Sequence, residues 1–243
     1  MIPISRAIKF IEKAISPLSN ERIDIACSVG RVLAENIVAD TDLPPFDRSQ
    51  MDGYAVVAAD TKNAPVTLKI AGESAAGRGW HKAMRSGEAV RIMTGAPVPN
   101  GADSVQKIEL TKEADGKVEI LEPTEIDRYI IRLGTEIKKG KTVLKYGTRI
   151  TENMIATLAA FGYAKVKVTK SPRDAIIGTG SEIVEISKKP GRDQIRNSNS
   201  VMLDLLCRKF GASPTTLPNV KDEISDLKSQ ISLAAKTSEI VVL

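Results

Sequence analysis

Between Pro45 and Ile137 the chain has little helical periodicity. Short apolar runs, Val66–Ile70, Ala89–Met93 and Val118–Leu121, alternate with Gly and Pro, and Leu43-Pro44-Pro45 stands at the entry. Proline lacks a backbone donor and holds the residue before it extended. Apolar runs this short, bounded by turn residues, read as strands. A compact β-rich module over residues 46–137 therefore constrains the fold most, because the chain on either side carries helices.

On the amino-terminal side, Ile4, Ala7, Ile8, Ile11 and Ile15 follow the three-four spacing of an amphipathic helix, with Ser5 as a candidate cap. On the other side, turns at Lys139-Gly140-Lys141 and Tyr146-Gly147-Thr148 precede a second helix. Thr151 can cap it, Met154, Ile155, Leu158 and Ala159 share a face, and Gly162 ends it. Lys165–Thr169 alternates as a strand.

From Arg173 the texture changes again. Strand Asp174–Gly178, a helix from Asn197 or Ser198 to Gly211, strand 214–219, helix Asp222–Lys236 and strand Glu239–Leu243 form the pattern of a parallel sheet covered by helices. The fold class is thus α/β and multidomain, divided as 1–45 with 138–171, a β-rich insert over 46–137, and an α/β segment over 172–243. That last segment is shorter than the ~100–150 residues usual for a domain, so it reads as partial and the chain as a fragment.

Composition limits the chemistry. Of 243 residues, 42% are hydrophobic and 27% charged, and the net charge of +5 is spread along the chain. Four Phe, four Tyr and one Trp make a thin stacking platform, which argues against nucleic acid. No apolar run approaches the ~18 residues of a membrane span. The start, MIPISRAIKF, lacks a signal-peptide core, so a cytoplasmic address is expected. Cys27 and Cys207 read as small core residues rather than a disulfide framework or zinc site. A single histidine, His81, leaves no His cluster and little room for a Ser-His-Asp triad. Carboxylates, hydroxyls, backbone amides, Lys and Arg must carry any reaction.

Three segments bring such groups together. In PPFDRSQMDGYA, a proline-stiffened loop can present Asp52 as a ligand or acceptor; Asp52-Gly53 is equally ordinary turn chemistry. In RIMTGAPVPNGAD, Thr94 and its neighbouring amides follow a strand and can hold an oxyanion or close a structural turn. Gly178-Thr179-Gly180-Ser181-Glu182 follows a strand directly, where amides form an anion-binding concavity and Glu182 is a candidate magnesium ligand. It is neither a dinucleotide fingerprint nor a P-loop. Judged alone, Asp222 reads as a helix-start charge, Asn197 as a cap and Glu136 as a surface charge.

Taken in order, PPFDRSQMDGYAV, AGESAAG, RIMTGAPVPNGADSV, GTEIKKGKTVLKYGTRI and GTGSEI resemble the molybdopterin molybdenumtransferases, the family of MoeA and the gephyrin E domain. The likeness covers essentially the whole chain. It implies insertion of molybdate into adenylated molybdopterin with release of AMP, aided by magnesium. It also implies an elongated homodimer, with the region 1–45 plus 138–171 as the dimerisation domain and 172–243 as part of a three-layer molybdopterin-binding domain. The substrate cleft lies between the α/β domain of one subunit and the β module of its partner. By the same resemblance Asp52, Thr94, Glu136, Glu182 and Asp222 are catalytic, Gly178, Thr179, Gly180 and Ser181 bind substrate, and Glu182 with Asp222 holds the metal.

Two departures stand out. Gly-Asp-Glu of the family reads Gly180-Ser181-Glu182 here, losing one charge, and Glu136 stands where many relatives have Asp. The family also continues beyond the strand that ends at Leu243. A non-catalytic dimeric scaffold of the same family is therefore the alternative expectation, and simple nucleotide binding through the Gly-rich loop a third.

Overall fold

The computed structural model describes residues 2–243. The chain folds as two compact units: the first runs to Ile37 and resumes over Leu144–Leu243, and the second is Val38–Val143. The architecture is mixed α/β, as the changes of period predict.

The first unit opens with α1 (Ile4–Ala14), β1 (Asn20–Asp24) and a short 3-10 turn at Ile25–Cys27, and β2 (Ile37–Val38) leads into the second unit. There follow β3 (Arg48–Ser49), β4 (Gly53–Val56), β5 (Val66–Ser74), β6 (Glu88–Ile92), β7 (Ser104–Lys107), β8 (Thr111–Ala114), β9 (Lys117–Ile120) and β10 (Ile130–Ile131). After β11 (Thr142–Leu144), the first unit resumes with α2 (Glu152–Ala160), β12 (Lys165–Thr169), β13 (Arg173–Thr179), β14 (Ile183–Val184) and β15 (Ile195–Arg196). It ends with α3 (Ser198–Lys209), β16 (Ser213–Val220), α4 (Ile224–Thr237) and β17 (Ile240–Val242).

The second unit is built on a six-stranded sheet in the order β7-β4-β6-β5-β9-β8, antiparallel except for β5 beside β6. Side chains alternate across a strand, and here both faces are covered. Tyr54, Val56, Leu68, Ala89, Val118 and Ile120 form one core. Ala55, Val90, Ile92 and Val105 form the other, joined by Met84, Ala96 and Ile130. Gly53 opens β4 where no side chain fits: a Cβ there would lie 1.9 Å from the Gln106 carbonyl oxygen on β7. Tyr54 follows, its ring buried and its hydroxyl donating to Glu113 of β8, which also pairs with Arg91 Nη1 at 3.7 Å.

In the first unit, β1 and β12 pair antiparallel, and Leu33, Ile150, Leu158, Phe161, Val166 and Val168 are buried. Its α/β part is a three-stranded parallel sheet, β16-β13-β17. Ala175, Ile177 and Val220 of the sheet pack against Ala234 of α4, with Leu217, Leu227, Ile231 and Val241 around them.

Four sequence expectations change. Ser5 lies inside α1, whose N-cap is Pro3, because the extended backbone of Pro3 already starts the helix one turn-position earlier. Thr151 takes the N-cap position of α2, but its side chain makes no capping bond. α4 starts at Ile224 rather than Asp222, since a tight Glu223 N–H to Lys221 carbonyl bond of 2.7 Å keeps that stretch out of the helix. Cys27 is exposed on the 3-10 turn and Cys207 only half-buried, so neither is a core residue. The amphipathic α1 forms as predicted, yet buries no residue; Ile4 is 79% and Ile11 59% exposed. Among the described residues, no helix is long and apolar enough to cross a membrane.

Two outcomes follow from the second unit. Gly53→Ala forces β4 and β7 apart and costs about 1–3 kcal/mol or more in urea unfolding, as overpacking does. Burial and the Glu113 bond push the Tyr54 phenol up to about 12. A raised value favours the neutral form: this contribution is present below the unfolded value of ~10 and lost as pH rises through about 12. Ultraviolet titration then shows one late phenol step, which Tyr54→Phe removes.

Candidate functional site

The predicted residues gather in two clusters, one in each unit. In the second unit, the loop before β4 is clamped to the turn after β6. Ser49 N–H donates to the Ala96 carbonyl at 3.0 Å, and Gly95 N–H donates to the Ser49 carbonyl at 2.8 Å. The Ser49 hydroxyl donates to the Met51 carbonyl at 2.6 Å, tightening the bend before Asp52. The turn closes through Ala96 N–H to the Met93 carbonyl at 3.0 Å, with Gly95 at φ +79°. A β-turn with a left-handed third residue calls for glycine, which explains Thr94-Gly95 in the sequence.

This clamp delivers Thr94 to Asp52. Thr94 N–H donates to Asp52 Oδ1 at 2.7 Å and its hydroxyl donates to the same oxygen at 2.8 Å. Both residues are exposed. The Thr94 backbone bond first, and its hydroxyl second, hold the Asp52 carboxyl below the usual aspartate range. Both Thr94 donors that an oxyanion would use are therefore engaged by Asp52. The expected oxyanion contact becomes a rigid, ionised carboxylate.

Glu136 is exposed and lies in the same unit, where its Oε1 accepts from Arg48 Nη2 at 3.1 Å. Asp47 accepts from Leu133 N–H at 2.8 Å and pairs with Arg132, which also binds Asp127. An open cavity of about 440 Å³ lies here, lined by Phe46, Asp47, Pro99, Asn100, Arg132 and Leu133. The sequence reading passed over Arg48; its signal was a guanidinium four residues before Asp52 in a loop rich in carboxylates.

The second cluster sits at the carboxyl ends of β13 and β16, which run parallel with Thr179 opposite Val220. Gly180 N–H is committed to the Val220 carbonyl at 3.1 Å, so it is not available to an anion. Gly180 adopts φ +143°, and a Cβ there would lie 2.6 Å from Glu182 Oε2. Glycine thus lets the Glu182 carboxylate fold back over the turn. Gly178 serves a different purpose: a Cβ would come within 2.4 Å of Asn219 Oδ1 and 2.7 Å of Asn197 Nδ2. Those amides bond each other at 2.7 Å, while Asn197 Oδ1 caps α3 through Ser200 N–H at 3.0 Å. Asn197 is the cap that the sequence suggested; Asn219 was not legible. Both line a cavity of about 650 Å³ with Val184, Ser200 and Thr216.

Ser181, Glu182 and Asp222 are exposed, and Thr179 and Gly178 half-buried. The Glu182 and Asp222 carboxylates accept no hydrogen bond among the described residues. No group of three or more His, Cys, Asp or Glu able to hold a metal occurs among those residues. Two free carboxylates at neighbouring strand ends still suit magnesium, which is commonly held by one or two carboxylates plus water and substrate phosphates.

Carboxyl-carbon NMR titration tests the first cluster. Asp52 titrates below the usual aspartate range, so its favourable interaction is present above the unfolded value and lost as pH falls through the folded one. Thr94→Val removes the hydroxyl bond, keeps the backbone bond, and moves the midpoint part of the way up.

Comparison with known proteins agrees with the ordered motifs. Residues 2–162 match the family model for the MoeA N-terminal region, domains I and II. A molybdopterin molybdenumtransferase of Staphylococcus aureus is 36% identical over 245 residues, covering 99% of this chain. The Staphylococcus epidermidis protein of the same name is 38% identical over 214 residues, covering 86% of this chain. A crystal structure of the molybdopterin biosynthesis MoeA protein from Pyrococcus horikoshii superposes with a TM-score of 0.91 at 35% identity, covering 99% of this chain and 65% of that one. The chain spans 58% of the length of the S. aureus relative and 51% of the S. epidermidis one. On the family model and the identity across its whole length, the chain belongs to the MoeA family.

Proposed function

We propose that the chain serves molybdenum cofactor biosynthesis, taking part in insertion of molybdate into adenylated molybdopterin with release of AMP. The observation that carries this reading is the pair of unpartnered carboxylates, Glu182 and Asp222, at adjacent parallel strand ends. Open α/β sheets bind ligands outside the carboxyl ends of their strands. Gly178 and Gly180 make room at that edge for the Asn219, Asn197 and Glu182 side chains, Thr179 and Ser181 offer hydroxyls, and the neighbouring cavity is lined by Asn197 and Asn219. Magnesium bound by Glu182 and Asp222 would offset phosphate charge and polarise the bond that releases AMP. In the second unit, Asp52, held as a carboxylate by Thr94, offers a fixed acceptor. No activated nucleophile is needed; binding, charge and position suffice.

The reading includes a homodimer and a cytoplasmic setting. Support for self-association comes from α1, whose Ile4, Ile8 and Ile11 are all exposed, as is Ile15 at its C-cap. A second reading is a non-catalytic dimeric module of the same family.

Molybdate-dependent AMP release from adenylated molybdopterin separates the two. The insertase reading expects release by this chain and a loss of roughly a hundredfold in Glu182→Ala, as removal of a metal-site group does. Equal release by both proteins removes Glu182 from the site. No release from a folded dimer favours the non-catalytic module.

A further inference from the structure

We propose that Arg48 is an oxyanion-binding residue of the Asp52–Thr94 cluster, with Glu136 as the partner it exchanges for the anion. The inference deepens the insertase reading and rests on it for the identity of the anions.

The argument begins with the donors that are already engaged. Thr94 gives both of its donors to Asp52. Arg132 is locked between Asp47 and Asp127, with Nε donating to Asp127 Oδ1 at 2.7 Å. Arg48 is different. A guanidinium has five N–H donors, and among the described residues the side chain of Arg48 makes a single hydrogen bond, from Nη2 to Glu136. Its Nε is buried and has no partner. A buried donor left unpaired costs on the order of 1–3 kcal/mol, more for a charged group. An acceptor that reaches Nε and a terminal nitrogen together would remove that cost. A tetrahedral oxyanion has the fork geometry to do so.

Placement supports the same conclusion. Arg48 is held on both sides by backbone, opposite Ile131 of β10 and opposite Pro97 of the turn that carries Thr94. The next residue, Ser49, makes the two-bond clamp to Ala96 and Gly95. Arg48 is therefore fixed to the same frame as Thr94. Its partner Glu136 is weakly held: the two side chains are 40% and 50% exposed. Exposed pairs of this kind contribute about 0–1 kcal/mol, so a doubly charged anion can displace the carboxylate. Glu136 then keeps the guanidinium oriented while the site is free of anion and repels anions that bind with a single contact.

Both molybdate and the phosphates of an adenylated substrate have this chemistry, and separate titrations distinguish them. The full chain is titrated with molybdate, inorganic pyrophosphate and AMP while the Arg48 Nε–H resonance is followed by NMR. A saturable shift with molybdate alone assigns the contact to the metal oxyanion; one with pyrophosphate or AMP assigns it to the phosphates. Arg48→Ala weakens binding of the same probe roughly tenfold or more, the loss of a charged hydrogen bond. Arg48→Lys, which keeps the charge but not the fork, gives an intermediate loss and guards against a folding defect. Glu136→Gln tightens binding about threefold, and this gain vanishes in the double variant with Arg48→Ala. No saturable shift with any probe, or equal affinity in Arg48→Ala, overturns the proposal. Weaker binding in Glu136→Gln overturns the exchange. AMP release without any effect of Arg48→Ala on anion binding leaves the insertase reading standing and this one fallen. Anion binding through Arg48 without insertion does the reverse.

Discussion

Strand β4 has no solvent face. Every residue from Gly53 to Val56 is buried, so four consecutive positions must satisfy two cores and two neighbouring strands. Tyr54 and Val56 point into one core and Ala55 into the other, while Gly53 leaves room for the Gln106 carbonyl. A strand trapped in this way cannot slip by one residue without exchanging its faces. Asp52 stands immediately before it and inherits that fixed register. On the next strand, β6, Val90 and Ile92 are equally buried, and the turn with Thr94 begins just after. The pairing of Asp52 with Thr94 thus rests on core packing that fixes both strands, and the Ser49 clamp between the two loops completes it.

Much of this was legible in the residues because the physics is short-range. The Gly and Pro spacing of 46–137 located the sheet, and a structural turn was one of the two readings of Thr94-Gly95. The α/β pattern after Arg173 was visible because each element is a single uninterrupted period. What could not be read was set by distant partners. Whether Thr94 holds an anion or a carboxylate depends on Asp52, 42 positions away. The link between Arg48 and Glu136 spans 88 positions. Asn219 gives no local sign of its bond to Asn197. Cap chemistry was misread where the backbone alone starts the helix, as at Pro3 and Glu223.

The two clusters differ in electrostatic character. Around Asp52 the carboxylates are paired: with Thr94, with Arg132, with Arg48. At the ends of β13 and β16 they are not, since Glu182 and Asp222 have no donor among the described residues. Paired carboxylates hold geometry; unpaired exposed ones are open to a cation. Ser181, between Gly180 and Glu182, adds no charge at that edge, so Glu182 and Asp222 carry it.

Asn197 joins α3 to β16 in one side chain. Its oxygen ends the helix and its amide nitrogen grips Asn219 across the gap left by Gly178. The start of α3 and the tail of β16 therefore move as one piece. The Asn219 amide and the cap of α3 thus share one hydrogen-bond chain, at the start of a helix whose outer face carries Met202 and Leu205 to solvent.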